Sequence, residues 1–318
     1  MAQQLKLAFL DAATMGDDLD LSPFAQFGEL TVYDNTLSNQ VVERIKDIDI
    51  LLVNKVKLTR EQIDQATRLR LICIAATGMD ILDVAYARGK GLGVMNVAGY
   101  STDSVAQTTF LHILNCVEHG TYFNTFIHDG RYPVSGLPTH YGAHYFHELS
   151  ALRIGIIGMG AIGRKVAAIA SAFGMDVVYY SSTGQDRCEG RYPRLELDAL
   201  LATCDIISIH SPLNDRTRHL LGRAEFQKMK RSAYVFNMGR GAIWDEAALV
   251  DALNEGEIAG AGTDVFEKEP IAPDHFYYQV KDKEKLFLTP HIGWASIEAR
   301  VRLIGMMVDN IKRFLAAG

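Results

Sequence analysis

Three ionisable side chains stand out in the C-terminal third of the sequence, each just past a short apolar run. They are Arg240 in Asn237-Met238-Gly239-Arg240-Gly241, Glu269 in Asp264-Val265-Phe266-Glu267-Lys268-Glu269-Pro270, and His291 in Thr289-Pro290-His291. A guanidinium, a carboxylate and an imidazole form an anion-binding and acid-base set. Hydride transfer to a carbonyl builds negative charge on oxygen, which a fixed cation and a proton donor can answer. Arg240 can hold a carboxylate through its planar fork while another N–H polarises the adjacent carbonyl. His291 can donate the proton in reduction and accept it in oxidation, and Glu269 beside it would favour the protonated ring. Singly, each has a plain reading as a surface charge, a loop acid or a satisfied histidine. Their positions at successive strand ends favour chemistry, because open α/β sheets bind ligands beyond the carboxyl ends of their strands.

The element that must serve them is the stretch from Leu152 to Tyr180. Leu152 to Ile157 is an apolar, β-branched run. Gly158-Met159-Gly160-Ala161-Ile162-Gly163 supplies GxGxxG, and Val166, Ile169, Ala170 and Phe173 follow at helical spacing. Gly174 closes that helix, and Val177 to Tyr180 reads as the next strand. Gly158 makes the turn, Gly160 lets backbone approach a pyrophosphate, and Gly163 lets helix pack on strand. The amides that open the helix, at Ala161 and Ile162, point at the phosphates. This setting predicts dinucleotide binding, where an isolated glycine turn would not. An acid normally ends the second strand and selects NAD, but Ser181-Ser182-Thr183 stands there uncharged. Arg187, Arg191 and Arg194 follow, and either reach a 2′-phosphate or are simply solvated. The cofactor is therefore NAD(H) or NADP(H), with the selection open.

With 318 residues the chain is long enough for two domains, and 22% charged with 48% hydrophobic residues is ordinary for a soluble protein. The formal net charge of −6, without a basic block, argues against nucleic acid or an acidic membrane as partner. No apolar run approaches a membrane span of ~20 residues, and Met1-Ala2-Gln3-Gln4 opens no signal peptide, so a cytoplasmic protein is expected. Cys73, Cys116, Cys188 and Cys204 lack zinc or disulfide spacing, and Cys73 and Cys204 read as small core residues. His140, His144 and His147 lie in a Gly/Pro-rich segment whose only nearby acid is Glu148, which reads as a connection and not as a metal site.

Residues 1 to 99 alternate apolar runs with helical segments, the pattern of a parallel sheet covered on both faces. Strands are expected at Leu5–Leu10, Leu30–Tyr33, Ile48–Val53, Leu69–Ala75 and Gly93–Val97, and helices at Ser38–Ile45, Thr59–Thr67 and Asp80–Ala87, with Ser38 and Thr59 as N-caps. Ala75 to Asp80 reads as a strand end entering a helix start, where free amides can receive a carboxylate. A long helix is expected at Ser101–Glu118, then an irregular segment to Ser150 ordered by a partner, with a second subunit as the best candidate. Further strands are expected at Asp205–His210, Ala233–Met238, Ile258–Thr263 and Lys285–Leu288, and helices at Leu197–Thr203, Arg223–Met229, Glu246–Gly256 and Ser296–Ala316. The expected architecture is α/β, with two Rossmann-like domains, one flavodoxin-like and one dinucleotide-binding, and a cleft between them. The first would comprise 1–99 with 290–318 and bind substrate; the second would comprise 100–289.

The chain resembles the D-isomer-specific 2-hydroxyacid dehydrogenases over nearly its whole length. The resemblance is carried by GMGAIGRKVAAIASAFGMDV (158–177), LLATCDIISIHSPLNDRTRHLLG (200–222), MKRSAYVFNMGRGAIWDEAALVDALNEGEIAGAGTDVFEKEP (229–270) and TPHIGWAS (289–296). NVAGYSTDSVAQ (96–107) and HIGWASIEAR (291–300) look most like its glycerate dehydrogenase/hydroxypyruvate reductase branch. The resemblance implies that Arg240 binds and polarises substrate, His291 is the general acid/base and Glu269 pairs with it. It implies that Thr77 and Gly78 offer amides to the substrate carboxylate and Asp264 holds the nicotinamide carboxamide. Ser181 and Ser182 would lie at the adenosine ribose, and His210, Ser211, Pro212 and Met238 would line the cofactor cleft. Trp294 either walls the substrate pocket or packs between domains. A homodimer formed through the cofactor domain is implied too. Two departures are Ser181, where relatives commonly carry aspartate, and His147, where many carry an aromatic residue before Glu148-Leu149.

The expected activity is reduction of a small 2-oxo acid, hydroxypyruvate or glyoxylate in type, to a D-2-hydroxy acid. 3-Phosphoglycerate oxidation and a dinucleotide-sensing corepressor are the alternatives. Formate oxidation is disfavoured because that branch pairs its histidine with an amide, and a methyl-donor fold leaves the three ionisable residues unexplained.

Overall fold

Runs of four or five mostly apolar residues make the parallel strands, as doubly covered sheets require. Leu5–Phe9 (β1), Gly28–Val32 (β2), Ile50–Val53 (β3), Leu71–Ile74 (β4) and the shorter Gly93–Met95 (β5) form a five-stranded sheet ordered β2-β1-β3-β4-β5. These coordinates are a computed structural model that describes residues 4–140, 142 and 144–317. Alternate residues face opposite sides. Leu7, Phe9, Ile50, Leu52, Leu71 and Cys73 enter one core and Ala8, Leu10, Leu51, Val53, Ile72 and Ile74 the other. The second core is covered by Val41–Ile45 (α1), Arg60–Gln65 (α2) and Val84–Gly89 (α3). The first core is closed by the terminal helix, Ile297–Ala317, through Ala299, Leu303, Met307 and Ile311 at four-residue spacing. Each such Leu or Ile side chain contributes about 1.5–3 kcal/mol by leaving water.

Local signals explain where these helices start. Thr59 caps α2, with its Oγ1 accepting from Gln62 N at 3.3 Å while Gln62 Oε1 accepts from Thr59 N at 2.9 Å. Ser38 is not a cap, contrary to expectation. It lies inside a 3₁₀ turn, Ser38–Gln40, whose entry is held by Leu37 N donating to Gln40 Oε1 at 2.9 Å. The expected helix at Asp80–Ala87 begins only at Val84, because Asp83 is the cap, accepting from Tyr86 N at 2.9 Å. Leu58 N donates to Ile81 O at 2.8 Å and Leu58 bridges Leu82, so Asp80 and Ile81 form a turn ahead of the helix. Thr77 and Gly78 therefore lie in a loop and not at a helix start.

The second unit carries six parallel strands: Arg153–Ile157 (β6), Asp176–Tyr180 (β7), Ile206–Ile209 (β8), Tyr234–Asn237 (β9), Gly260–Thr263 (β10) and Leu286–Leu288 (β11). Their order is β11-β10-β9-β8-β6-β7, and a single parallel bridge from Tyr179 to Arg194 extends the sheet beyond β7. Thr102–Val117 (α4), Gly120–His128 (α5), Arg131–Ser135 (α6), Ala161–Ala172 (α7), Leu197–Thr203 (α8), Arg223–Lys228 (α9) and Glu246–Glu255 (α10) complete it. Ile154, Ile156 and Phe236 pack on the α4 and α7 side, and Ile207, Ile209 and Val235 on the α8 to α10 side. The segment after α4 is not irregular throughout, since α5 and α6 occupy much of its first half. His119, at φ 53°, breaks the chain direction, and Tyr122 stacks on Phe126 one turn later at 5.9 Å.

The chain divides into Met1–Ser101 with Trp294–Gly318, and Thr102–Gly293. Pro290 to Gly293 thus belong to the second unit, where the expected boundary had put them in the first. Asp264 explains the shift, because its carboxylate accepts from Ile292 N at 2.9 Å and Gly293 N at 2.7 Å.

Candidate active site

The three glycines of the turn after β6 occupy three different environments. Gly158 has φ 98°, and a Cβ there would meet Ser211 Oγ at 2.5 Å, so the turn lies directly against the end of β8. A Cβ on Gly163 would meet Gly158 O at 2.1 Å, so α7 packs closer than any side chain permits. Gly160 is extended and open, with no atom within 4 Å of a Cβ position. No side chain caps α7, which leaves the first-turn amides of Ala161, Ile162 and Gly163 for an anion. After β8, His210 shares a 2.9 Å hydrogen bond with Ser208 through Nε2, while its buried Nδ1 has no protein partner. Burial pushes the His210 imidazole down to about 3, so it is neutral. Pro212 is exposed beyond it, and Met238 is buried at the end of β9. The bare amides, the open cradle at Gly160 and the orphaned His210 nitrogen suit a dinucleotide.

At the end of β7, Ser181 Oγ lies 3.1 Å from Thr183 Oγ1, and Ser182 is half-buried. Arg194 donates to Gly184 O across the same loop, and Arg187 to Gln185 Oε1 at 3.2 Å. The nearest acid, Asp186, is engaged by the loop itself. It accepts from Cys188 N at 2.8 Å, Gly190 N at 3.0 Å and Tyr179 OH at 2.8 Å, bonds that hold its carboxyl below the usual carboxylate range.

Arg240, Glu269 and His291 follow the neighbouring strands β9, β10 and β11, whose registers bring Asn237 beside Thr263 and Thr263 beside Leu288. Asn237 shapes the first loop, accepting from Gly239 N at 3.0 Å and donating from Nδ2 to Arg240 O at 2.9 Å. Arg240 Nη1 donates to Gly239 O at 2.9 Å. Gly241 is then forced, because a Cβ would fall 1.9 Å from Phe266 C and 2.1 Å from Glu267 N. Glu269 Oε1 accepts from Phe266 N at 3.1 Å, and its Oε2 accepts from His291 Nδ1 at 2.6 Å. With Nδ1 committed to the carboxylate, Nε2 is the ring atom left for proton transfer. His291 holds φ 56°, a left-handed conformation that costs a non-glycine residue about 1–2 kcal/mol.

Asp264 sits under that loop. It is buried and accepts from Thr289 Oγ1 at 2.6 Å as well as from the two amides already named, while burial raises its carboxyl above the usual range. Thr77, Gly78 and Trp294 belong to the first unit. There Thr77 Oγ1 donates to Val97 O at 3.0 Å, and Trp294 packs edge-on to Tyr100 at 6.4 Å beside the first core. His140 stacks on Phe126 at 4.4 Å and His144 on Tyr122 at 3.7 Å. Among the described residues no group of His, Cys, Asp and Glu could hold a metal ion.

Sequence reasoning missed two supporting groups. Glu246, buried in the first turn of α10, accepts from Glu267 N at 3.0 Å and pairs with His275 Nε2 at 2.9 Å, which anchors both ends of the loop carrying Glu269. Thr289 is the other. Glu246 looks like an ordinary helix-start acid, and nothing local announces His275.

A doubly wound sheet with a glycine turn at its switch point, and an Arg, a Glu–His pair and a buried Asp at adjoining strand ends, defines a dinucleotide-dependent oxidoreductase. The family described as "D-isomer specific 2-hydroxyacid dehydrogenase, NAD binding domain" matches residues 110–293. A hydroxypyruvate reductase of Blautia hydrogenotrophica is 35% identical over 98% of this chain and 97% of its own. Among solved structures, an acyclic imino acid reductase in complex with NADPH and D-Arg has a TM-score of 0.88 at 26% identity, covering 98% of each chain. A D-lactate dehydrogenase from Aquifex aeolicus, complexed with NAD and lactic acid, has a TM-score of 0.85 at 28% identity, covering 98% of this chain and 96% of its own. The chain belongs to the D-isomer specific 2-hydroxyacid dehydrogenases, oxidoreductases acting on CH–OH groups.

Proposed function

We propose that this protein reduces a small 2-oxo acid, of the hydroxypyruvate or glyoxylate type, to the D-2-hydroxy acid. The observation that carries the reading is the 2.6 Å His291–Glu269 pair, one strand end away from the loop of Arg240. Arg240 grips the substrate carboxylate and polarises the neighbouring carbonyl. His291 Nε2 gives its proton to the carbonyl oxygen as negative charge develops there, and Glu269 stabilises the ring through Nδ1. The nicotinamide, when bound, supplies the hydride to the carbonyl carbon. Asp264 holds the His291 loop through the amides of Ile292 and Gly293. A steady-state panel of 2-oxo acids with NADH and NADPH tests the reading, and no turnover with any of them overturns it.

The loop after β7 supports admission of NADPH as well as NADH. Ser181 puts no charge against a 2′-phosphate, Arg194 stands on the loop, and Asp186 is engaged by the backbone. Side-by-side fluorescence titrations measure this, and exclusive binding of NADH refutes it. A homodimer through the second unit is supported by exposed Ile127, Val134, Leu137, Tyr145 and Phe146, an apolar set unusual for a monomer surface. Light scattering on the purified chain tests it, with a monomeric mass as the refuting result. Free cysteines throughout the described residues fit a reducing, cytoplasmic setting. No helix among the described residues is long and apolar enough to cross a membrane.

A further inference from the structure

His112 is a single polar residue within the apolar run Phe110-Leu111-His112-Ile113-Leu114 of α4, and it is completely buried. Its Nε2 lies 2.9 Å from Thr289 Oγ1, which lies 2.6 Å from Asp264 Oδ1. A threonine hydroxyl has one proton, and both Asp264 oxygens already accept, Oδ1 from Ile292 N and Oδ2 from Gly293 N, so Asp264 is the acceptor towards Thr289 as well. The Thr289 proton therefore goes to Asp264, and Thr289 must accept from His112, which makes His112 the Nε2–H tautomer. Burial pushes its imidazole down to about 4, so the ring carries that single proton. Nδ1 is then bare, and it is buried without a partner. Gly262 supplies the space, since a Cβ there would fall 2.7 Å from Nδ1, and Phe287 packs edge-on to the ring at 4.8 Å.

We infer that His112 is a positioning residue for His291, acting through a one-way relay from His112 Nε2–H to Thr289 Oγ1–H to Asp264, whose carboxylate holds the amides of Ile292 and Gly293. The relay fixes the chain on both sides of His291, at Thr289 before it and at Ile292 and Gly293 after it. A left-handed residue between two such anchors cannot relax towards an extended conformation without breaking them. That keeps Nδ1 on Glu269. Without the N–H of His112, the Thr289 hydroxyl loses the donor that orients it, and the anchor before His291 loosens.

This inference rests on the proposed role of His291, so the two are tested together on the full chain. The set is wild type, His291→Asn, His112→Leu, His112→Gln and Thr289→Val, with kcat, KM for hydroxypyruvate and thermal unfolding measured for each. His112→Leu is expected to lower kcat about tenfold with KM little changed. His112→Gln, whose amide N–H reaches the same place, retains most of the wild-type kcat. The His112→Leu/Thr289→Val pair falls no further than Thr289→Val alone, as residues in one path must. Wild-type kcat in His112→Leu, equal impairment of the Leu and Gln variants, or multiplicative losses in the pair overturns the relay. If His112→Leu does not fold, Thr289→Ser against Thr289→Val decides, since only serine keeps the hydroxyl, and equal kcat in those two overturns it. An undiminished His291→Asn would instead refute the role assigned to His291.

Discussion

Replacing Gly160 or Gly163 by alanine separates the two jobs of the glycine turn. At Gly160 the backbone has φ −76° and ψ −163°, open to any L-residue, and a Cβ would have no atom within 4 Å. Stability should hold or rise by about 0.4–1 kcal/mol as the unfolded chain loses freedom. The added methyl would instead occupy the path by which a pyrophosphate reaches the amides. Losing one charge-assisted bond, about 1.5–3 kcal/mol, weakens cofactor binding by roughly 10- to 150-fold. At Gly163 the methyl falls 2.1 Å from Gly158 O, far inside contact distance, and that atom is backbone. Because the clash is with backbone, overpacking at the upper end of about 1–3 kcal/mol, reduced by about 1 kcal/mol of better helix propensity, leaves a net loss near 2 kcal/mol. Melting should fall by about 4–8 °C. The assays are thermal unfolding without cofactor and fluorescence titration with NADH and NADPH. Unchanged binding by Gly160→Ala, or an equal fall in Tm for both variants, would refute the division of roles.

Arg240→Lys should lower kcat/KM for a 2-oxo acid by about 100-fold or more, because a lysine ammonium cannot grip a carboxylate bidentately and polarise the carbonyl at once; steady-state kinetics report it. Ser181→Asp should weaken NADPH at least about tenfold while sparing NADH, read as the ratio of their dissociation constants. Glu246→Ala should cost about 2–4 kcal/mol in denaturant unfolding, since it leaves His275 and the amide of Glu267 without their partner. His112 and His210 have folded-state values depressed to about 4 and about 3, so from pH 6.5 downwards the unfolded chain takes up protons that the folded chain refuses. Their contribution is intact above about pH 6.5 and is lost as pH falls towards 4, roughly 2–4 kcal/mol for His112 alone. Asp264, raised by burial, works in the opposite sense, its effect stabilising as pH falls. Urea unfolding of wild type and His112→Gln between pH 4 and pH 7 isolates the histidine, and parallel pH curves would refute the assignment.

Features that depend on neighbours in the chain were legible without coordinates. The apolar runs at β1, β3, β4, β6 and β8, the cap at Thr59 and the helix Leu197–Thr203 rest on side-chain period and on caps a few residues away. The turn at Gly158 and the close packing at Gly163 were assignable for the same reason, because each is set by its place in one turn. Where local signals competed, coordinates were needed. Asp83 outdid Asp80 as the start of α3, Ser38 fell inside a 3₁₀ turn, and the aromatic spacing of Tyr122 and Phe126 made a helix where loop residues suggested none.

The residue types at Arg240, Glu269 and His291, and the order of the strands that carry them, were determined by the sequence, since strand ends and ionisable residues can be read one segment at a time. The tertiary structure alone decided which atoms meet. His112 and Thr289 are separated by 177 positions, Glu246 and His275 by 29, and Asp264 and Gly293 by 29. Such pairs leave no periodic trace, because each is made by the packing of different strands and helices. The same packing commits His291 Nδ1 to Glu269 and leaves Nε2 for the proton.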